Sequence, residues 1–333
     1  MTDRNRPRAG QLSQRPAIAR FVRQTWSSDD TDAPITRTTM DVMALPRPVG
    51  FVLGGGGSLG AIEVGMLQAL AEQGITPDLA VGTSVGSING AVVARDPEGA
   101  ANRLSHSWAR TTRKQVLPGG LLAQARTLRQ SKTHLFPNTG LATMIADFVH
   151  PATTFADLTL PFAAITTDVA TAAPHMIRAG PLLPALLASA AIPGIYPPVE
   201  HDGRRLYDGG VVANVPLRQA LAMGARSLVV LDCTVPGHLP KPPDTLAEAL
   251  LFTAIITMRL QAALEAPLAA AEVPLVYLPG PVLHRVSPLD FDHTDMLIAD
   301  AYEAAQMFLA ALHVDGPGLY GSLSGQAAPP AVS

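Results

Sequence analysis

Apolar residues recur along this chain in two rhythms, and together these predict an ordered region over 46–313. Compact apolar runs at 49–53, 79–81, 162–166, 228–232 and 275–278 read as buried strands, with a shorter strand over 205–207. Helical spacing predicts α-helices between them. Over 61–73, Ile62, Met66, Leu67 and Leu70 share one face, and Gly74 follows where a left-handed C-terminal residue belongs. Further helices are expected over 85–94, 100–111, 141–149 and 182–190, and a last one over 294–312 closes the fold. The opening order of strand, turn, helix, strand, turn, helix implies a parallel sheet, because parallel neighbours need a long crossover between them. The flanks lack either rhythm. Residues 1–45 read as a disordered extension, and 314–333, rich in Gly, Ser, Ala and Pro, as a flexible tail. Within the extension, Ile18, Phe21, Val22 and Trp26 stand at helical spacing with Arg20 and Arg23 between them. A short basic amphipathic segment of this kind can touch an anionic membrane surface.

Composition narrows the classes. With 47% apolar and 15% charged residues in a chain of 333, one α/β domain with a sizeable core is the expected product. A net charge of −3 offers no polycationic surface, so nucleic acid is not an expected partner. Cys233 is the single cysteine, which excludes a disulfide framework and a cysteine metal cluster and points to a reducing compartment. There is no uninterrupted apolar run of about 18 residues to cross a membrane. The basic start (Arg4, Arg6, Arg8) is not followed by the apolar stretch of a secretory signal. A cytoplasmic location is expected, with peripheral contact at the inner membrane surface left open. The apolar stretch over 246–264 bears on that contact: Leu250, Leu251, Ala254, Ile255 and Met258 share a face that suits either a core or a lid.

Three blocks carry candidate chemistry. Gly82-Thr83-Ser84-Val85-Gly86 lies between a strand and a helix, the setting in which a G-x-S-x-G segment forms a nucleophile elbow. There the serine sits at a helix N-terminus, whose dipole favours developing negative charge. The other use of such a segment is a glycine-rich turn with an N-cap serine. Upstream, Gly54-Gly55-Gly56-Gly57-Ser58-Leu59-Gly60 matches a dinucleotide fingerprint in its spacing. The next strand, however, runs into Gly82-Thr83-Ser84 and lacks the carboxylate that would hold a ribose, and no Gly-Lys-Ser/Thr follows for a P-loop. Four consecutive glycines can instead aim backbone N–H groups at an oxyanion, each such donor being worth ~3 kcal/mol in a transition state. Downstream, Asp208-Gly209-Gly210 offers an acid on a tight turn, able to serve as the base a serine nucleophile needs.

In that order, glycine loop, G-x-S-x-G and Asp-Gly-Gly, the blocks resemble the patatin-like phospholipase family. The stretches Thr166-Thr167-Asp168-Val169-Ala170-Thr171 and 188–199 (Ala-Ser-Ala-Ala-Ile-Pro-Gly-Ile-Tyr-Pro-Pro-Val) are similar to segments of that family, and the likeness extends over about 49–312. The resemblance implies a single three-layer α/β domain over 46–313, with a central, mostly parallel sheet and helices on both faces. It implies hydrolysis of lipid acyl esters, of phospholipase A or lysophospholipase kind, without metal or organic cofactor. Ser84 would be the nucleophile, Asp208 the base, and Gly55, Gly56 and Gly57 the oxyanion donors, with Gly60, Gly82, Gly86, Gly209 and Gly210 as motif glycines. One position departs. Where the family usually has Arg or Lys before the last glycine of the first block, this chain has Leu59, which makes an esterase a firmer expectation than a phospholipase.

Other assignments compete for the same residues. A Ser-His-Asp triad would draw on His284 or His293, both of which follow Asp208 and Asp232. A non-catalytic lipid- or nucleotide-binding module would keep the glycine loops alone. Asp290, Asp292, His293 and Asp295 form a polar loop more than a metal site. Asp202 lies in a hairpin turn. Asp168 and Asp232, each ending an apolar strand, fall at the rim where open α/β sheets bind ligands, and either shape a site there or, as the favoured reading, cap the turns that follow.

Overall fold

The computed structural model describes residues 45–233, 244, 246–281 and 286–323. The amphipathic segment over 18–26 and His284 therefore lie outside the described residues. The chain runs through β1 (Val49–Leu53), α1 (Ala61–Glu72), β2 (Leu79–Thr83), α2 (Val85–Arg95), α3 (Ala100–Trp108), α4 (Arg113–Val116), α5 (Leu121–Ser131) and α6 (Thr139–Phe148). It continues with β3 (Phe162–Asp168), β4 (Ala173–Ile177), α7 (Leu182–Ser189), β5 (Val199–His201), β6 (Arg204–Asp208) and α8 (Leu217–Ala222). Last come β7 (Ser227–Leu231), α9 (Leu246–Glu272), β8 (Pro274–Tyr277), α10 (Thr294–Ala311) and β9 (Gly318–Gly321).

One sheet orders these strands β5-β6-β3-β2-β1-β7-β8-β9, with β4 also paired to β3. The block from β3 to β9 is parallel throughout, while β4, β5 and β6 join antiparallel at one end. Apart from the edge strand β9, the parallel strands are buried on both faces, as sheets covered by helices on each side must be. Alternation sorts their side chains. Phe51, Leu53, Val229 and Leu231 enter a core with residues of α1, α2, α3, α6, α7 and α10. Val52, Val81, Ile165, Leu228 and Val230 enter a smaller one with residues of α8 and α9. The result is the three-layer arrangement expected, helix, sheet, helix.

Departures from the expected elements are local. Short β4 and β5 have half-exposed, mixed sequences that periodicity passes over. β9 lies in the stretch that composition reads as a loose tail, yet Gly318 to Gly321 pairs in register with β8. Backbone pairing to an available edge decides this strand, where apolar content does not. Gly74 takes the left-handed conformation expected of it, with φ 68°.

Register positions the rim. In the parallel pair β2–β3, Thr83 stands beside Ile165; in the antiparallel pair β3–β6, Thr166 stands beside Asp208. The end of β6 is thereby brought two strands across from the turn that leaves β2.

Candidate active site

Ser84 alone makes the turn from β2 into α2. Its φ of 55° and ψ of −125° are sparsely populated for a residue with a side chain, and the side chain caps no helix amide. The surroundings enforce this geometry. The Ser84 N–H donates to Ser189 Oγ (3.0 Å), and Ser189 in turn donates to Ile165 O (2.6 Å). The Ser84 carbonyl accepts from both the N–H (2.9 Å) and the Oγ–H (2.6 Å) of Ser87. Thr83 Oγ donates to Ala213 O (2.7 Å), tying the same turn to the chain after Asp208. A side chain on Gly82 would collide with the Gly86 carbonyl, and one on Gly86 with the carbonyls of Leu53 and Gly54. The two glycines thus answer to close backbone approach at both ends of the turn.

Asp208 ends β6 and caps the short 3₁₀ turn Gly209–Val211, its Oδ1 accepting from Gly210 N–H (2.7 Å). Its own backbone is fixed by N–H donation to Ala191 O (3.0 Å) and by Thr167 Oγ donating to its carbonyl (2.7 Å). Ser84 and Asp208 are 7% and 3% exposed, and the Ser84 hydroxyl lies within electrostatic reach of the Asp208 carboxyl. Burial pushes that carboxyl up to about 6, with the Ser84 hydroxyl and the Gly210 amide pulling it partly back.

The glycine loop leaves β1 alongside this pair. Gly54 N–H donates to Leu231 O (3.0 Å), Gly55 N–H to Asn214 O (3.2 Å), and Ser58 N–H to Pro288 O (2.8 Å). Asn214 Nδ2 returns a bond to Gly55 O (3.3 Å). Of the three glycines expected to present amides, Gly55 therefore spends its N–H on Asn214. The amides of Gly56 and Gly57 have no such acceptor among the described residues. Behind the loop lies a polar layer. Cys233 Sγ contacts Gly54 O (3.6 Å), and Tyr277 OH donates to Asp232 (2.5 Å). Asn89 Nδ2 donates to Glu63 (2.7 Å) and to Gly60 O (2.9 Å), and Trp108 Nε1 donates to Asn89 Oδ1 (3.0 Å). Burial pushes the Glu63 carboxyl well above the usual range, against the pull of its bond from Asn89. Leu59 faces the core and is itself buried. A cation reaches this side of the molecule from α9 instead: Arg259 is half-buried, within electrostatic reach of Asp232.

α9 covers the other side. The Met258 methyl lies 3.1 Å from the position a Gly210 β-carbon would take, and Gln261 Oε1 accepts from Asn214 N–H (2.7 Å). The helix is much longer than its apolar stretch suggests and contains Pro267. Among the other candidates, His293 bonds to Asp290 (3.0 Å) on a half-exposed loop. No histidine bonds to Ser84 or Asp208 among the described residues, where no His/Cys/Asp/Glu group that could hold a metal ion occurs either. Asp202 sits exposed in its hairpin turn, and Asp168 caps the Ala170 amide and pairs with Arg204. Asp232 is buried beside the glycine loop, its Oδ1 3.2 Å from the point where a Gly54 β-carbon would sit. No described helix is long and apolar enough to cross a membrane.

Sequence reasoning did not single out Ser189, Asn214 or Gln261. Asn214 had a readable signal, an amide within the apolar run 211–217, where burial demands partners.

A family model, Patatin-like phospholipase, matches residues 51–221, just over half of the chain. The chain belongs to the patatin-like phospholipase family. Patatin-like phospholipase domain-containing protein 7 of Mus musculus is 35% identical over 194 residues, which cover 57% of this chain and 14% of that protein. Lysophospholipase NTE1 of Mycosarcoma maydis is 33% identical over 189 residues, 55% of this chain and 10% of that protein. The chain thus spans a small part of the length of the relatives it matches. Among solved structures, VipD from Legionella pneumophila aligns with a TM-score of 0.44 at 14% identity, covering 81% of this chain and 68% of that one. A human GIVD cytosolic phospholipase A2, bound to methyl gamma-linolenyl fluorophosphonate, aligns at 0.44 and 14%, covering 79% and 58%.

Proposed function

We propose that this chain is a serine acyl-ester hydrolase acting on lipid esters through a Ser84–Asp208 dyad. The observation that carries the reading is Ser84, held strained at the strand-to-helix turn, with its hydroxyl within electrostatic reach of a buried carboxyl raised to about 6. A carboxylate so raised is a stronger base than an exposed aspartate, yet remains ionised at neutral pH. In the first half-reaction Ser84 Oγ attacks the ester carbonyl carbon as its proton passes to Asp208. The carbonyl electron pair moves onto oxygen, where the amides of Gly56 and Gly57 receive it. Collapse expels the alcohol or lysolipid, which takes the proton from Asp208 and leaves Ser84 acylated. Water then repeats the sequence and releases the acid.

A lipid substrate is supported by family membership and by the outer side of α9. Leu260, Leu264 and Leu268 recur at i, i+4 and i+8 and are 57%, 63% and 57% exposed, on the helix whose inner side carries Met258 and Gln261 to the site. Three exposed leucines in line are an apolar strip suited to the surface of a lipid aggregate. Hydrolysis of p-nitrophenyl butyrate and of a lysophospholipid by wild type, Ser84→Ala and Asp208→Asn tests the assignment. Both variants should fall to near background on both substrates. Lysophospholipid left intact by a wild type that cleaves the soluble ester would restrict the reading to an esterase.

A further inference from the structure

Asn214 is 1% exposed, and three of its four polar groups are committed. Its carbonyl accepts from Gly55 N–H, its N–H donates to Gln261 Oε1, and its Nδ2 donates to Gly55 O. The fourth, Oδ1, is buried without a partner, a state that costs a folded protein stability and therefore calls for a reason. Its position supplies one. Oδ1 lies 2.6 Å from the point where a Gly55 β-carbon would sit, and the Ser84 β-carbon lies 3.1 Å from that same point. Oδ1 also lies 2.9 Å from the corresponding point on Gly210, with Asp208 Oδ1 3.1 Å from it. The orphan acceptor thus stands within about 6 Å of both members of the dyad by the triangle these distances bound. A side chain on either glycine would crowd it. Gln261 Nε2, a buried donor also without a partner, belongs to the residue that holds Asn214 in place.

An acceptor this near nucleophile and base has no use in the first half-reaction, where the proton that leaves Ser84 goes to Asp208. The second half-reaction has a donor to spare. Water carries two O–H bonds, of which Asp208 can take only one; the other must be satisfied in a place that points an oxygen lone pair at the acyl carbon. We propose that Asn214 Oδ1 orients the hydrolytic water. The water oxygen bonds to the acyl carbon, one proton passes to Asp208, and the second O–H stays hydrogen-bonded to Asn214. The carbonyl pair moves to oxygen and returns on collapse. The bond to Ser84 Oγ then breaks, Ser84 recovers the proton from Asp208, and the acid leaves.

This inference rests on the Ser84–Asp208 reading, and the test separates the two. Stopped-flow hydrolysis of p-nitrophenyl butyrate by the full chain resolves acylation as a burst and deacylation as the steady rate. In Asn214→Ala and Asn214→Ser the burst and the rate of fluorophosphonate labelling should stay within about threefold of wild type. Steady turnover should drop about tenfold or more, the worth of one hydrogen bond of ~1.4 kcal/mol. Butyryl-enzyme should accumulate on Ser84 in the mass spectrum, and hydroxylamine, a stronger nucleophile, should discharge it. A burst and labelling rate that fall in step with turnover would mean that Asn214 serves only to clamp Gly55, and would overturn the proposal, as would unchanged turnover. The serine variant covers the case in which alanine loses its cooperative thermal transition. Undiminished turnover in Ser84→Ala would remove the dyad reading and this one with it, whereas a burst lost only in the Asn214 variants would remove this one alone.

Discussion

At the scale of single residues, the economy of the site turns on Asp208. Burial raises its carboxyl from an ordinary value near 3.8 to about 6, so holding it ionised at neutral pH opposes folding by roughly 3 kcal/mol. The sign follows from the direction of the shift. A raised folded-state pKa favours the fold below pH 4, and this contribution is lost as pH rises through about 6. Asp208→Asn should therefore lose activity by roughly 10²–10⁴-fold, the usual worth of a general base. Its thermal midpoint at pH 7.5 should equal or exceed that of wild type, with the advantage shrinking as pH is lowered toward 4. Calorimetry at the two pH values checks this, and a variant less stable at pH 7.5 than at pH 4, relative to wild type, would contradict it. The same shift sets the pH profile: kcat/KM for a neutral ester should rise through an apparent pKa near 6 and then level. Ser84 and Asp208 were legible in the sequence because a serine in a strand-to-helix turn and an acid on a glycine turn leave local marks. Ser189 was not, since it acts through a partner 105 residues away along the chain, and Asn214 showed only as an amide in an apolar run, with its partner Gly55 159 residues away.

At the scale of elements, the glycine loop is shaped by what lies behind it. A β-carbon on Gly56 would collide with the Cys233 sulfur, a flexible tip and not backbone. Gly56→Ala should therefore lower fluorophosphonate labelling of Ser84 by about tenfold or more, and Gly56→Ala with Cys233→Ala should recover much of it. Labelling that is equally poor in both would place the fault in the conformation of Gly56 itself. The central strands and their helices were legible because long apolar runs flanked by glycine have few other uses. β4, β5 and β9 were not, because their residues are half-exposed and their pairing is decided by neighbouring edges. α9 was legible only in part. Its contacts to the site come from Met258 and Gln261 and its core contacts from Ala262, Ala266, Ala269 and Ala270, while the exposed leucines are Leu260, Leu264 and Leu268.

At the scale of the whole molecule, one sheet rim carries three separate segments to one place: the loop after β1, the turn after β2 and the end of β6. α9 closes over them with an apolar strip facing outward. If that strip meets lipid, replacing Leu260, Leu264 and Leu268 with Ser should lower the ratio of vesicle to soluble-ester turnover by about tenfold or more, at roughly 25 cal/mol per Å² of apolar surface withdrawn from water. Co-sedimentation with anionic vesicles reads the binding directly, and an unchanged ratio would put the lipid-facing surface elsewhere. The central claim, that Ser84 is a nucleophile activated by Asp208, is tested most directly by the site and pH dependence of a covalent adduct. Peptide mapping after fluorophosphonate treatment should place the adduct on Ser84, with a labelling rate that rises through pH 6 in wild type and is slow at every pH in Asp208→Asn. An adduct on another residue, or a labelling rate in Asp208→Asn equal to that of wild type, would contradict it.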